Sequence, residues 1–452
     1  QLAQAASPRT SVETVTVTSS KLGGADVQSV PIAITAMSQE QLTATQTAGG
    51  PDLVKQVPNL TFTKTNFTGY SISIRGIGTQ AVSVTTDPAV AVSFNDIPFI
   101  RNHFFEQEFF DVGQVEVLRG PQGTLYGRNA TAGVVNLVSA KPTDHYEAEA
   151  SVDVGNYNNR RLEGMLNIPI VGDQIDLRVA GEWTKRDGYT YDSTLAQSVD
   201  GRDLWSGRVS LLLHPIDKLT ATVVWEHFSE NDDRLRSAKT LCNTDPGPTS
   251  VDGPAGLVTN IDASGQGWLS QGCKPGSLYA PSAYGVPNPG AIPFVQIAEY
   301  LAQIFPAGLN PYGTLSQSPD LRVIGSALRP SYRAKNDTLE FNADYNVTPA
   351  LTLTSQTGYG KDSLYSTEDF NRFNTVSNAF TPNGAYVIGL DGQFCDPQLG
   401  CSDRFLAEDV SQEHSEQFYQ ELRLASKFDG PLNFSVGANY LQYRTLEDYY
   451  VF

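Results

Sequence analysis

The 452-residue sequence predicts a mostly β protein in which a small mixed α/β unit precedes a transmembrane antiparallel β-barrel. Three observations predict it. After Pro142 the hydropathy alternates with period two through nine segments. The connections between those segments are tight at one end and mostly long at the other, the pattern of an outer-membrane barrel. No apolar run exceeds four residues, so no helix can cross a bilayer, which takes about 20, whereas a membrane strand needs only about 10 alternating residues. A soluble β-sandwich with one wet face would also alternate, but it explains neither strands this long nor loops sorted by side.

Composition narrows the function classes. There are 31 basic and 49 acidic residues, a net charge of −18, which excludes a chain built to neutralise phosphate backbones. Charged residues make up 18%, below the roughly 25% of soluble domains. The 39 glycines, 20 tyrosines and 21 phenylalanines suit strands and turns. Four cysteines (Cys242, Cys273, Cys395, Cys401) point to disulfides and an oxidising compartment. They allow three pairings, and sequence order suggests Cys242–Cys273 and Cys395–Cys401. The five histidines show no zinc-like spacing, so no metal and no cofactor is expected. The chain opens Gln1-Leu2-Ala3 without a charged-then-apolar leader, from which any secretion signal is expected to have been removed.

Taken in order, residues 1–24 are small and polar and read as a flexible tail. Residues 25–143 read as the mixed α/β unit. Ser38 caps a helix near Ser38–Thr45, and Pro58 stops a second over Asp52–Gln56. Short strands are expected at Ser71–Ile74, Ala89–Phe94 and Val115–Leu118. Residues 144–452 carry the nine alternating strands, the first at Ala148–Val154 and the last at Leu432–Tyr440. Tight turns are expected at Val171–Gln174, His214–Lys218, Thr348–Pro349 and Phe428–Pro431. Long loops are expected at Lys185–Asp203, Glu230–Pro330 and Ser366–Ser411, with Gly155–Arg160 a short exception on their side. Phe294–Phe305 has the spacing of an amphipathic helix.

The run Val115-Glu116-Val117-Leu118-Arg119-Gly120-Pro121-Gln122-Gly123-Thr124-Leu125-Tyr126-Gly127-Arg128-Asn129-Ala130 resembles the plug signature of TonB-dependent outer-membrane transporters. So do Val30–Thr35, Val57-Pro58-Asn59-Leu60, Ser73-Ile74-Arg75-Gly76, Val90–Ile97 with Pro98, and Gln420–Leu424. The resemblance implies a plug inside a 22-stranded barrel. It also implies import of a scarce ligand, energised by an inner-membrane complex through the periplasmic protein TonB. Outer-membrane lipid and a small-molecule ligand are the other expected partners; nucleic acid is not. A ferric siderophore is the expected ligand, with cobalamin, haem or an oligosaccharide as alternatives and a passive porin as the rival reading. Glu13-Thr14-Val15-Thr16-Val17-Thr18 is similar to the TonB box, an extended β-branched segment able to add a strand to a partner's sheet. Ligand contact is expected from Arg101, Asn102, His103 and Phe104 on an apical loop, with Gly78, Thr79 and Gln80 beside it. By resemblance, Arg75 and Arg119 meet barrel glutamates, and the alternation places Glu421 in the lumen as the partner. Nine strands are odd and far fewer than 22, so the chain is expected to be a fragment. No GxSxG, GxxxxGK[ST] or HExxH occurs, and an enzyme is not expected.

Overall fold

A computed structural model describes residues 16–17, 25–26, 32–64, 70–80, 86–100, 103–172, 174–236, 238–254, 256–292, 310–369, 374–379, 392–398 and 400–452. The plug is a five-stranded sheet. Its strands are β1 (Ala33–Ser38), β4 (Val90–Phe94), β5 (Ile97–Phe99), β6 (Val112–Arg119) and β7 (Gly133–Ser139), in the order β1-β6-β7-β4-β5. β7 runs parallel to β4; the other neighbours are antiparallel. A smaller antiparallel pair, β2 (Leu60–Lys64) and β3 (Tyr70–Ile74), lies beside it.

Ser38 caps helix α1 (Gln39–Ala44) in a capping box, its hydroxyl accepting from Gln41 N–H while the Gln41 side chain accepts from Ser38 N–H. The expected second helix is a 3₁₀ segment, Gly50–Lys55, opened by Pro51. Gly50 there lies so close to Phe105 that an added Cβ would sit 2.0 Å from the Phe105 carbonyl oxygen. The plug core includes Leu53, Ile72, Ile74, Val92, Phe94, Ile97, Phe99, Phe105 and Val117, all at most 5% exposed.

Nine antiparallel strands in unbroken sequence order make the barrel wall: β8 (Glu147–Gly155), β9 (Asn159–Val171), β10 (Ile175–Arg186), β11 (Arg202–Ile216), β12 (Leu219–Asp232), β13 (Ser331–Thr348), β14 (Leu351–Asp369), β15 (Glu408–Ser426) and β16 (Ser435–Val451). Among the described residues β8 pairs only with β9 and β16 only with β15, so the wall is a partial barrel with two open edges. The last strand begins three residues later than the alternation suggests, at Ser435. Residues 427–434 fold as a turn in which the Asn433 side chain accepts from Phe428 N–H at 2.6 Å. The connections sort by end as expected: residues 172–174, 217–218, 349–350 and 427–434 on one, 156–158, 187–201, 233–330 and 370–407 on the other. Tyr157 and Asn158 both take positive φ, which closes the one short turn on the long-loop side. The helix expected at Phe294–Phe305 lies outside the described residues.

Strand parity separates two environments. Arg178, Glu182, Arg208, Glu226, Glu340, Gln417 and Glu421 point inward and are buried. Val154, Leu166, Trp205, Trp225, Leu339, Phe341, Tyr345, Phe418 and Leu422 point outward and are exposed, as lipid-facing residues are. The wall also completes the plug's core, since Val224 and Tyr419 join its apolar cluster.

The closest fit is against β14, which presents Gly358 and Gly360 to the plug. A Cβ on Gly358 would lie 2.7 Å from Ile97 Cγ2, and one on Gly360 would lie 3.0 Å from Phe99 Cε1. Gly358→Val should therefore push the β4–β5 hairpin off the wall and destabilise the fold by about 1–3 kcal/mol. The expected result is a lower melting temperature together with a raised conductance in planar bilayers. A variant with wild-type values in both would mean that the hairpin yields without cost.

Candidate functional site: the plug–wall clamp

Between α2 (His103–Glu106) and β6 the plug presents a short acidic segment, Glu106 to Asp111, to strands β9–β12. Alternation places arginines on the inner faces of β9, β10 and β11, and they converge on it. Arg178 on β10 binds Asp111 with two nitrogens, at 2.6 and 2.9 Å, and reaches Glu147 of β8 at 3.1 Å. Arg208 on β11 pairs with Glu226 at 2.7 Å and donates to the carbonyls of Phe110 (3.2 Å) and Asp111 (2.9 Å). Its guanidinium lies 4.5 Å from the Phe110 ring centroid. Arg161 on β9 donates to the Phe109 carbonyl at 3.0 Å and sits 3.5 Å from Glu108, which also accepts from Thr184 at 2.9 Å.

Next along the wall, Arg234 binds Glu106 at 2.7 Å, and Lys64 binds the same carboxylate at 2.9 Å. Both cations lie over the Tyr332 ring, at 3.9 and 5.1 Å from its centroid. Burial, reinforced by the Arg234 charge, pushes the Lys64 ammonium down to about 8. On the opposite side of the plug the fastening is neutral or singly charged. Gln417 of β15 accepts from Ile100 N–H at 2.9 Å and donates to the Pro98 carbonyl at 2.7 Å, and Asn95 donates to Glu340 at 2.8 Å. Asn167 ties down the junction between plug and wall through the carbonyls of Thr143 and His145.

The long-loop end is crosslinked and partly folded. Cys242 is bonded to Cys273 and Cys395 to Cys401. A cavity of about 480 Å³ between the loops is lined by Ser193, Thr194, Lys239, Gln317, Asn374 and Arg404, among others. Both cations already serve backbone carbonyls, Lys239 those of Ser318, Asp320 and Val323, and Arg404 that of Thr375. Among the described residues no group of three or more His, Cys, Asp or Glu could hold a metal ion.

Residues 26–134 match the family described as the TonB-dependent Receptor Plug Domain. That segment is a plug domain of the TonB-dependent receptor kind. It is 31% identical over 170 residues to the iron-regulated outer membrane virulence protein of Vibrio cholerae, a match covering 36% of this chain and 26% of that protein. The structure is similar to the ferric yersiniabactin uptake receptor of Yersinia pestis, with a TM-score of 0.59 and 16% identity over 92% of this chain and 50% of that one. It is also similar to the ferripyoverdine receptor of Pseudomonas aeruginosa, with a TM-score of 0.62 and 11% identity over 96% of this chain and 45% of that one. The chain thus spans about half the length of those solved receptors, and its match spans about a quarter of the curated relative.

The site residues expected from the sequence are placed as follows. Glu421 is buried and faces inward, but it is held by its own strand: the Tyr419 hydroxyl donates to it at 2.6 Å and Arg423 pairs with it. No ion pair among the described residues joins it to Arg75 or Arg119. Arg75 is exposed in a left-handed turn, while Arg423, two residues from Glu421 on the same face, reaches the carboxylate first. The charge pairing that fastens the plug has the reverse polarity, wall arginines on plug carboxylates. Its sequence signal was arginine at inward parity, at 161, 178 and 208. Gly78 pairs with Ser73, and Thr79 and Gln80 follow it on the plug surface. Arg101 and Asn102 lie outside the described residues, as do the side chains of His103 and Phe104. Phe99 and Phe105, the apolar ends of that loop, are core residues at 5% and 1% exposure. Of the TonB-box segment only Thr16 and Val17 are described, paired with Asp26 and Ala25; Glu13, Thr14, Val15 and Thr18 lie outside.

Two predictions test the clamp. Arg178→Ala leaves Asp111, whose side chain is 11% exposed, without its partner and should cost about 3 kcal/mol, read as a lower melting temperature and a raised passive leak. Adding Asp111→Asn should recover most of that loss, and no recovery would mean Arg178 acts by packing alone. The second concerns pH. With its folded pKa at about 8 and an ordinary value of 10.5, Lys64 carries a penalty that is fully present below pH 8 and relieved as pH rises toward 10.5. Wild type should therefore gain stability relative to Lys64→Met across that window in paired thermal melts. A constant difference would show that Lys64 keeps its ordinary affinity for protons.

Proposed function

We propose that this chain is the plug and part of the barrel of an outer-membrane receptor that imports a ferric siderophore, energised through TonB. The observation that carries the reading is a folded plug fastened inside a membrane wall by buried ion pairs. A passive pore has no use for such a stopper, whereas a ligand-gated importer requires one. Relatives whose names speak of iron regulation, ferric yersiniabactin uptake and ferripyoverdine support iron chelates as the ligand class. In this reading the long-loop end faces outward and the tight-turn end, with the N-terminal tail, faces the periplasm. Arg101, Asn102, His103 and Phe104, with Gly78, Thr79 and Gln80, meet the ligand. Glu13–Thr18 recruits TonB by main-chain pairing, and the two disulfides brace the outer loops. The chain acts by binding and translocation, with no covalent step.

The test is paired on whole cells: binding of a radiolabelled ferric siderophore in the cold, then accumulation at growth temperature. Proline removes a ladder donor and fixes φ, so Val15→Pro should abolish accumulation while binding stays unchanged, and Val15→Ala should do little. Arg101→Ala should weaken binding by about ten- to a hundredfold, the value of a charge-assisted hydrogen bond of about 1.5–3 kcal/mol. Accumulation that survives Val15→Pro would place energy coupling elsewhere or make transport passive.

A further inference from the structure

Three connections at the long-loop end are stitched into one body. In the 187–201 hairpin, Tyr191 and Asp192 pair in parallel with Val323 and Ile324 of the 233–330 connection. Ser193 donates to the Ile324 carbonyl at 2.9 Å. The Lys239 ammonium gathers the carbonyls of Ser318, Asp320 and Val323 around itself. In the 370–407 connection Arg404 donates to the Thr375 carbonyl, and the Thr375 hydroxyl accepts from Phe405 N–H at 2.9 Å. The cavity of about 480 Å³ lies where the three meet, and its volume is in the range of small-molecule sites. Its described lining comes entirely from these connections, with nothing from the plug.

Its chemistry stands out from the rest of the molecule. Among the described residues no aspartate or glutamate lines it, on a chain that carries 49 of them. A groove of about 900 Å³ at the same end is lined by Asp187, Asp203, Asp232 and Asp233. The two cations of the smaller cavity are poorly balanced. Three carbonyls fill the donors of Lys239 but leave its charge in place. Burial pushes the ammonium below its ordinary value, and the Asp320 charge offsets only part of that. Arg404 has only the carboxylate of the preceding residue, Asp403, at 3.9 Å and 43% exposed. Asp192, next to the lining residue Ser193, accepts from the N–H groups of Thr194, Leu195 and Ser326 instead of either cation. Finally, Asn374 lines the cavity at 7% exposure, and its side-chain nitrogen has no acceptor among the described residues. A buried donor left unmet is costly, and an incoming oxygen would remove that cost.

We propose that this cavity binds a small acidic sugar of the uronic-acid class. The sugar's carboxylate balances Arg404 and Lys239, and one of its oxygens accepts from Asn374. Ser316 and Gln317 meet other hydroxyls, while the C–H face of the ring lies on Leu315 and Val323. A neutral sugar would leave the two cations unbalanced. A plain carboxylic acid would leave the hydroxyl and amide groups of the lining without partners. The inference draws on no plug residue and stands whether or not the chain serves siderophore import.

The experiment is isothermal titration calorimetry on the purified protein in detergent micelles, with galacturonate, galactose or cyclohexanecarboxylate. Galacturonate should bind, and the neutral sugar and the plain acid should each bind at least about tenfold more weakly. Ser316 is exposed and makes no side-chain hydrogen bond among the described residues, so Ser316→Asp adds a negative charge to the lining without breaking a contact. It should weaken galacturonate by about tenfold or more. The same change at Ser250, on the exposed 250–259 hairpin outside the cavity, should have no effect. Arg404→Gln should also weaken binding, and Arg404→Lys should restore most of it, which separates lost charge from misfolding. Tighter binding of trigalacturonate than of the monomer would make polymer ends the source of the ligand, and equal binding would make it the free sugar. Undetectable galacturonate binding overturns the proposal, as does equal affinity for galactose or cyclohexanecarboxylate. Unchanged affinity in Ser316→Asp overturns it too, by placing the sugar elsewhere. Siderophore uptake, scored separately on cells, decides the transport reading whichever way the sugar result falls.

Discussion

Four arginines in a water-poor interior, Arg161, Arg178, Arg208 and Arg234, dominate the energetics of this molecule. A guanidinium cannot shed its proton, so each one on the inner wall must find an acceptor or leave a costly unpaired charge. Here the acceptors are largely lent by another part of the chain, the Glu106–Asp111 segment and its main-chain carbonyls. The wall therefore depends on the plug as much as the plug depends on the wall.

The fastening is lopsided. Strands β9–β11, with Arg234 just past the end of β12, hold the plug by charge, while β14 and β15 hold it by glycine-to-hydrophobe contact and the two hydrogen bonds of Gln417. Charge-assisted contacts are strong but directional. The glycine surface is shape-selective and carries no polar group that must be re-satisfied when contact is lost. The two sides of the plug consequently differ in what separation from the wall would cost, before any ligand or partner is considered.

Much of this was legible in the sequence, and what was not has an identifiable reason. Period-two alternation revealed all nine wall strands because lipid on one face and a polar interior on the other impose opposite chemistry on successive residues. Ser38 and Gln41 marked the first helix because a cap is a local device. The second helix tightened to a 3₁₀ turn because Gly50 packs against Phe105, a contact no local pattern encodes. Parity correctly put Glu421 inside but could not name its partner, since pairing depends on which cation lies within reach in three dimensions; Arg423 does, and Arg75 does not. The arginine clamp escaped notice for the same reason. Arg161, Arg178 and Arg208 look like ordinary lumen residues until the plug's acidic segment is brought against them.

The unequal ends of the wall also bear on how such a chain can change over generations. Connections at 217–218 and 349–350 have two residues each, so an insertion there would shift strand register and turn lipid-facing side chains inward. The 233–330 connection bears no such constraint; its disulfide and short hairpins form a lobe whose length can vary while β12 and β13 stay in step. Novelty in what the long-loop end meets can thus accumulate by drift, duplication or deletion, independently of the part that must sit in the bilayer.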